Sequence, residues 1–380
     1  MAIQCSERLY GLDHLRSLAI ILVLMYHYRA FKHPDWIDHI GQFGWTGVDL
    51  FFVLSGFLIS SQLFKEMEDK GNLHLKTFYI KRFFRIIPPF LFTLFLYFTF
   101  PFFRERESLP PFWKFITFTQ NYGLDVIHKG TFSHAWSLCI EEQFYLFLPM
   151  LLWMLRKVKM FQYMVVFTLG IIFLSLIIRT IEWNELMKIP GRNSLDFWKL
   201  WYMKIYYPTH SRLDGLGVGI LTGYVMQYSS GIKKSIHRNG NILFLAGLTL
   251  LGISFWMCRE QASKEASTFG FILVAVSYGI IVLAAVSESS FLYRWKSSVT
   301  LQLAGFSYAI YLSHKGIIHM VQDLLESFNF QTSGNGSLLL SLLACVVGAV
   351  FYRWVIEKPV EKIKYRILRD ENKVFPKKIN

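Results

Sequence analysis

About ten stretches of near-continuous apolar sequence, each about twenty residues long, restrict this chain more than any other feature. A helix rises 1.5 Å per residue, so about twenty residues match the ~30 Å hydrocarbon core of a bilayer. In that solvent every backbone N–H and C=O must be paired within the protein, which leaves only helices or closed barrels. The blocks are continuous and do not alternate in polarity, so they read as helices. The expected spans are 12–30, 47–64, 80–101, 138–155, 163–181, 213–228, 241–258, 268–287, 301–325 and 337–356. The sixth is short and glycine-rich and reads as a broken or tilted span. The expected fold class is all-α: a polytopic membrane helix bundle of about ten transmembrane helices. It forms one domain over 1–380, with 357–380 as a short basic tail and no appended soluble domain. Composition agrees, since 17% of residues are charged against about 25% in soluble chains.

The formal charge of +14 raises the question of nucleic acid. The basic residues are scattered between apolar blocks and show no aromatic interleaving on one polar face, so no nucleic-acid partner is expected. Cys5, Cys139, Cys258 and Cys345 have no metal-ligand spacing, and no metal is expected; all four read as packing residues. The first apolar run, Leu18 to Met25, leads into Tyr26-His27-Tyr28-Arg29 without a small-x-small cleavage site, which argues against a cleaved signal peptide. The loops around Arg156 and Lys233 are dense in positive charge, whereas the 326–336 loop has none. By the positive-inside rule both termini are expected in the cytoplasm of a multi-pass protein of the cell membrane.

An ionisable side chain at the centre of a span costs about 2.5–3.5 kcal/mol on insertion scales, so each one asks for a reason. The first span carries Asp13, His14, Arg16 and His27. Arg16 and His27 share a helix face about 16 Å apart along the axis, which suits an extended ligand charged at one end and reactive at the other. Each also has a plainer reading, Arg16 as a snorkelling residue and His27 as a hydrogen-bonded bundle residue. Arg82 and Arg85, at i and i+3, present paired guanidiniums that suit phosphates or that anchor the positive-inside end. In Trp136-Ser137-Leu138-Cys139-Ile140-Glu141-Glu142-Gln143-Phe144-Tyr145, two carboxylates open an apolar helix where the helix dipole favours them. Glu141 and Tyr145 share a face. Glu142 points about 100° away, so the two carboxylates are not expected to serve one site. Asp49, within Gly47-Val48-Asp49-Leu50-Phe51-Phe52-Val53-Leu54-Ser55-Gly56-Phe57, is expected level with His27 and in need of a partner.

With these residues in view, the sequence resembles the acyltransferase-3 family of integral membrane acyltransferases. The resemblance is carried by Leu12 through His27, by the Gly47–Phe57 block, by Arg82-Phe83-Phe84-Arg85-Ile86-Ile87-Pro88 and by Trp136–Tyr145. It continues in Arg212-Leu213-Asp214-Gly215-Leu216-Gly217-Val218-Gly219, Ser307-Tyr308-Ala309-Ile310-Tyr311-Leu312-Ser313-His314 and Ile356-Glu357-Lys358-Pro359, all in family order. Lys315 after His314 is unusual. The resemblance implies that Arg16 and His27 are the basic residue and histidine associated with the acyl donor. It further implies that Arg82 and Arg85 are the paired arginines of the third helix, and that Glu141 is the acidic residue of the tryptophan–glutamate block. It implies an acetyl or other short acyl group taken from cytoplasmic acyl-CoA, with acetyl-CoA as the default donor. The acceptor it implies is a hydroxyl of a carbohydrate or other hydroxylated molecule, first a cell-surface polysaccharide or its lipid-linked precursor, with membrane lipid as the remaining partner. The chain looks like the standalone type, without a fused hydrolase-like domain.

The mechanism expected from these residues uses His27 as general base or as transient acyl carrier, its ring oriented by Glu141 or Asp49. Arg82 and Arg85 would hold the donor's phosphate end, with Arg16 along the donor path and Ser55 and Tyr145 near the thioester. Tyr308, Tyr311 and His314 read as a polar stripe for interhelical hydrogen bonding, and Arg212 and Asp214 as acceptor contacts or a local pair. Asn335-Gly336-Ser337 fits a glycosylation sequon. Two other classes compete. An acyl-group exporter would feed a separate partner transferase. A secondary transporter would need repeated halves and matched broken helices, which the sequence lacks.

Overall fold

A computed structural model of the chain describes residues 9–189 and 194–374. Cys5, Arg8 and the last residues of the tail lie outside the described residues. Ten principal helices occupy the ten expected places: α1 Tyr10–Tyr28, α2 Thr46–Lys70, α3 Leu75–Thr99, α4 Trp136–Lys157, α5 Met164–Met187, α6 Leu213–Tyr228, α7 Gly240–Met257, α8 Phe271–Ala285, α9 Ser298–Ser327 and α10 Asn335–Tyr352. A π-turn at Arg353–Glu357 carries α10 into an eleventh helix, α11 Lys358–Val374, so much of the expected basic tail is helical. No strand occurs among the described residues. The protein is an all-α polytopic membrane bundle.

Seven helical segments are long and apolar enough to cross a membrane. The principal helices that miss that standard are α1, α6 and α9, and each fails for a visible reason. Helix α6 has sixteen residues. Helix α1 buries Asp13, His14 and Ser17, and α9 buries Ser307, Ser313, His314, Lys315 and Gln322. Of these three, α1 and α6 pack on α2 and α8, and α9 packs on α1 and α10. Helices α5, α7 and α10 lie outside them and expose Val166, Phe173, Ile242, Trp256 and Val347, the pattern of an apolar face turned to lipid.

The middle is drawn together by glycine. A Cβ on Gly219 of α6 would meet the Val53 carbonyl oxygen of α2 at 2.4 Å and the Gly56 Cα at 2.7 Å. Small residues let two backbones approach where lipid supplies no hydrophobic drive between helices. Helix α2 stops at Gly71, whose left-handed φ of 74° lets its N–H close on the Met67 carbonyl at 3.1 Å. Pro88 and Pro89 interrupt the hydrogen-bond ladder of α3, and beside them the Tyr308 hydroxyl of α9 donates to the Ile86 carbonyl at 2.9 Å.

Candidate active site

Two cavities penetrate the bundle from opposite ends. The first, about 390 Å³, opens where the basic connections lie. Arg16 of α1, Ser55 and Gln62 of α2, Arg82 and Arg85 of α3, and Glu141, Glu142 and Tyr145 of α4 all line it. Its apolar walls include Leu54, Leu58, Ile86 and Leu138. Six of the residues singled out in the sequence thus meet in one place: Arg16, Ser55, Arg82, Arg85, Glu141 and Tyr145. The Tyr145 hydroxyl donates to Glu141 Oε2 at 2.8 Å and lies 3.0 Å from Ser55 Oγ. The Arg82 guanidinium stacks 5.5 Å from the Tyr145 ring centroid and donates to Gln62 Oε1 at 3.3 Å. Arg16 pairs with Asp13 at 3.3 Å. One expectation is corrected here. Glu142 lines the same cavity as Glu141 despite the 100° between them, because the cavity wraps around the first turns of α4.

The second cavity, about 890 Å³, holds His27 and His134 at its floor. Trp45, Trp136, Trp198, Tyr202, Tyr206 and Tyr207 supply aromatic walls, and Lys315 also lines it. Lys315 Nζ pairs with Glu105 Oε1 at 2.9 Å and contacts Ser133 Oγ at 3.3 Å, so its charge is buried but matched. The two cavities share one lining residue, Val48. A polar tie completes the wall between them: Tyr311 donates to the His134 carbonyl at 2.7 Å and accepts from Ser137 at 2.6 Å.

His27 does not meet either acidic residue expected to orient it. Its Nδ1 lies 2.9 Å from Nε2 of His314, whereas Glu141 is bonded to Tyr145 and Asp49 to Arg212. With both rings neutral, the His314 contact fixes the tautomers by elimination. His314 Nδ1 lies 2.8 Å from the Tyr311 carbonyl and 3.1 Å from that of Ile310, and a carbonyl only accepts. Nδ1 of His314 therefore carries the proton and its Nε2 accepts. His27 must donate from Nδ1, which leaves His27 Nε2 with a bare lone pair. His134 is held likewise: its Nε2 donates to the Leu312 carbonyl at 3.3 Å, and its Nδ1 has no partner among the described residues.

Asp49 belongs to a separate buried network. Arg212 Nη2 meets Asp49 Oδ1 at 2.6 Å, and Arg179 Nη1 meets Asp214 Oδ2 at 2.9 Å, all four side chains at 0% exposure. The Arg212 guanidinium stacks 4.1 Å from the Phe271 ring and 4.7 Å from the Tyr206 ring. Arg179 also donates to the carbonyls of Ser211 and Thr268. The π-turn Ala266–Gly270 that leads into α8 supplies the second of these. Arg212 and Asp214 are thus structural partners of α2 and α5, and neither lines the larger cavity.

Residues 9–354 match the acyltransferase domain that defines the acyltransferase-3 family. The chain belongs to that family. It is 28% identical over 376 residues to the O-acetyltransferase OatA of Staphylococcus aureus (strain NCTC 8325 / PS 47), an alignment covering 93% of this chain and 57% of that protein. It is also 28% identical over 370 residues to the peptidoglycan O-acetyltransferase OatA of Listeria monocytogenes serovar 1/2a (strain ATCC BAA-679 / EGD-e), covering 93% and 56%. The chain thus spans a little over half the length of these relatives. No solved structure matches it.

Within this acyltransferase-3 chain, the grouping of His27 with His314 and His134 has no signal in the sequence. His314 stood in a stripe with Tyr308 and Tyr311, and that stripe does serve interhelical hydrogen bonds. Its pairing with His27 depends on how α1 packs on α9, which no spacing within one helix reveals. No cluster that could hold a metal ion is found among the described residues.

Proposed function

We propose that this acyltransferase-3 chain is a membrane O-acetyltransferase that moves an acetyl group from acyl-CoA to a hydroxyl of a carbohydrate, a cell-surface polysaccharide or its lipid-linked precursor. The observation that carries this reading is His27, whose Nδ1 is held by His314 while the ring lines the aromatic cavity that meets the cationic one at Val48. In this reading the basic end faces the cytoplasm and the smaller cavity admits the donor. Arg82 and Arg85 meet its phosphates, as planar bidentate groups suit. The apolar stretch from Leu54 to Leu138 accommodates the pantetheine arm. The aromatic walls of the larger cavity suit the C–H faces of a sugar ring.

His27 Nε2 takes the proton of the acceptor hydroxyl as its oxygen attacks the thioester carbonyl carbon. The C–S bond breaks, and the thiolate of coenzyme A recovers that proton from the imidazolium. The products are the O-acetyl ester and free thiol. His314 stabilises the imidazolium by accepting from Nδ1, the role an acidic residue plays in a hydrolase triad. The same lone pair could instead take the acetyl group first and pass it outward, an acyl-histidine route with the same net balance. Passage from one cavity to the other requires Tyr311, Ser137 or Val48 to move.

The test is reconstitution of the purified chain in vesicles with labelled acetyl-CoA on one side and oligosaccharide acceptors on the other. Label should appear as O-acetyl sugar and disappear with His27→Ala. A His27→Ala protein with full activity would overturn the reading. Thioester cleavage without transfer to sugar would favour hand-off to a separate partner transferase. Trapping of acetyl-histidine with donor alone would select the acyl-carrier route.

A further inference from the structure

The smaller cavity does not end at Arg82 and Arg85. Both residues, together with Gln62, Ser307 and Tyr308, also line an adjoining lobe of about 580 Å³. Its far wall is built by the π-turn after α10 and by α11: Arg353, Glu357, Glu361, Lys364 and Leu368, with Tyr365 beside them. Steps of four, four, three and four residues place the first five on one helix face. The polar face of α11 is therefore turned toward α3 and α9 and not simply toward solvent.

The lobe's charge is one-sided. Lys81, Arg82, Arg85, Arg353 and Lys364 face two carboxylates, Glu357 and Glu361. Among the described residues, no ion pair within 4.0 Å engages Lys81, Arg85, Arg353 or Lys364. Arg353 and Lys364 rest instead against aromatic rings, Arg353 at 5.8 Å from Phe306 and Lys364 at 5.0 Å from Tyr365. Cations that outnumber the carboxylates of a concavity and are not ion-paired with them attract an anionic ligand, and aromatic faces beside them suit a purine base.

We propose that this lobe takes the adenosine 3′,5′-bisphosphate end of the acyl donor, with Arg353 and Lys364 on its 3′-phosphate and Tyr365 beside the base. The inference rests on acyl-CoA being the donor and adds a wall to its site that lies outside the Arg82–Arg85 pair. The nucleotide occupies the outer lobe, the diphosphate lies between Arg82 and Arg85, and the pantetheine arm runs inward toward Val48. The C-terminal helix thereby becomes part of the donor site, and donors lacking the 3′-phosphate are discriminated against.

The experiment measures binding of acetyl-CoA, acetyl-dephospho-CoA and S-acetylpantetheine to the full purified chain in lipid nanodiscs. The wild type is expected to bind acetyl-CoA about ten-fold or more tighter than acetyl-dephospho-CoA, as for a charge-assisted phosphate contact. In Arg353→Gln/Lys364→Gln that preference collapses to within about two-fold, while affinity for S-acetylpantetheine is unchanged, which also shows the variant is folded. Lys364→Arg alone should keep the preference. A double variant that retains the full preference overturns the role of α11 while leaving the donor reading intact. A wild type that binds S-acetylpantetheine but gains nothing from the nucleotide overturns the lobe assignment. A wild type that binds none of the three and still acetylates sugar overturns the donor reading itself.

Discussion

Replacing His314 with leucine is the sharpest test of the histidine pair. The substitution keeps a buried side chain of similar bulk but removes the acceptor 2.9 Å from His27 Nδ1. A neutral hydrogen bond contributes about 0.5–1.5 kcal/mol net, and one to a charged group about 1.5–3 kcal/mol. The His27–His314 bond passes from the first kind to the second as the imidazolium develops. Its loss therefore costs the transition state about 1–2 kcal/mol more than the ground state, a fall in kcat of about 5- to 30-fold. Freed tautomers of His27 add to that loss, because part of the population then carries its proton on the wrong nitrogen. Removing the base itself, in His27→Ala, should cost about 100- to 10,000-fold. The double variant should match His27→Ala, since His314 acts through His27. His314 does not line the smaller cavity, so KM for acetyl-CoA should stay put. The assay is acetyl transfer at saturating acceptor, with kcat and donor KM separated. A His314→Leu protein whose kcat stays within about two-fold of wild type, while a tautomer-sensitive ¹⁵N spectrum shows His27 changed, would refute the reasoning.

Three further outcomes follow from the fold. Asp49→Asn leaves Arg212 buried and unpaired, which should destabilise the protein by about 3–5 kcal/mol, with Asp49→Asn/Arg212→Met recovering part of it in thermal unfolding. Gly219→Ala forces a methyl to within 2.4 Å of the Val53 carbonyl oxygen and should cost about 1–3 kcal/mol, whereas Gly170→Ala, with nothing within 4 Å of its new methyl, should be neutral or stabilising in the same measurement. In the loop before α4, burial alone would raise the Asp125 carboxyl, but Lys199 at 2.7 Å and His128 at 2.8 Å hold it below the usual carboxylate range. A depressed folded value means stabilisation present above the unfolded pKa of about 3.9 and lost as pH falls through the lower folded value. Asp125→Asn should therefore raise amide exchange in that loop at neutral pH and match wild type in strong acid.

The fold was legible because the period of apolar blocks matches one physical length, the thickness of hydrocarbon. Helix α6, expected over 213–228, forms at Leu213–Tyr228, and Asn335–Tyr352 lies within about four residues of the expectation. What the blocks did not show was the local backbone between them. The π-turns at Tyr202–Tyr206, Ala266–Gly270 and Arg353–Glu357 have no signature in hydropathy, yet Tyr206 and Thr268 meet the arginine network and Arg353 lines the lobe beside Arg82 and Arg85. A common donor path for Arg16, Arg82 and Arg85 was expected from the family resemblance, and the three do line one cavity; Glu141 was expected at His27 and lies with the arginines instead. The buried partners were not foreseen. Asp49 needed one, as its burial required, but Arg212 lies 163 residues away in sequence, and His27 found His314 at a separation of 287.

That pattern has a single cause. A polar residue in a span can be kept only where it faces protein, so α1 and α9, which bring His27 and His314 together, are among the helices least able to cross a membrane alone. Helices α1, α6 and α9 fall short of the apolar standard and are surrounded by helices that meet it. These buried charges in the middle are then matched by another element: Asp49 of α2 by Arg212 at the start of α6, Asp214 of α6 by Arg179 of α5, Lys315 of α9 by Glu105 of the loop after α3. Removing one partner exposes the other to a low-dielectric surround, where an unpaired charge is costly. The matched pairs fix how the helices meet. The cations left without carboxylate partners, Arg85, Arg353 and Lys364, lie together where one cavity opens. In the proposed donor site these are the groups that would meet a ligand's own negative charge.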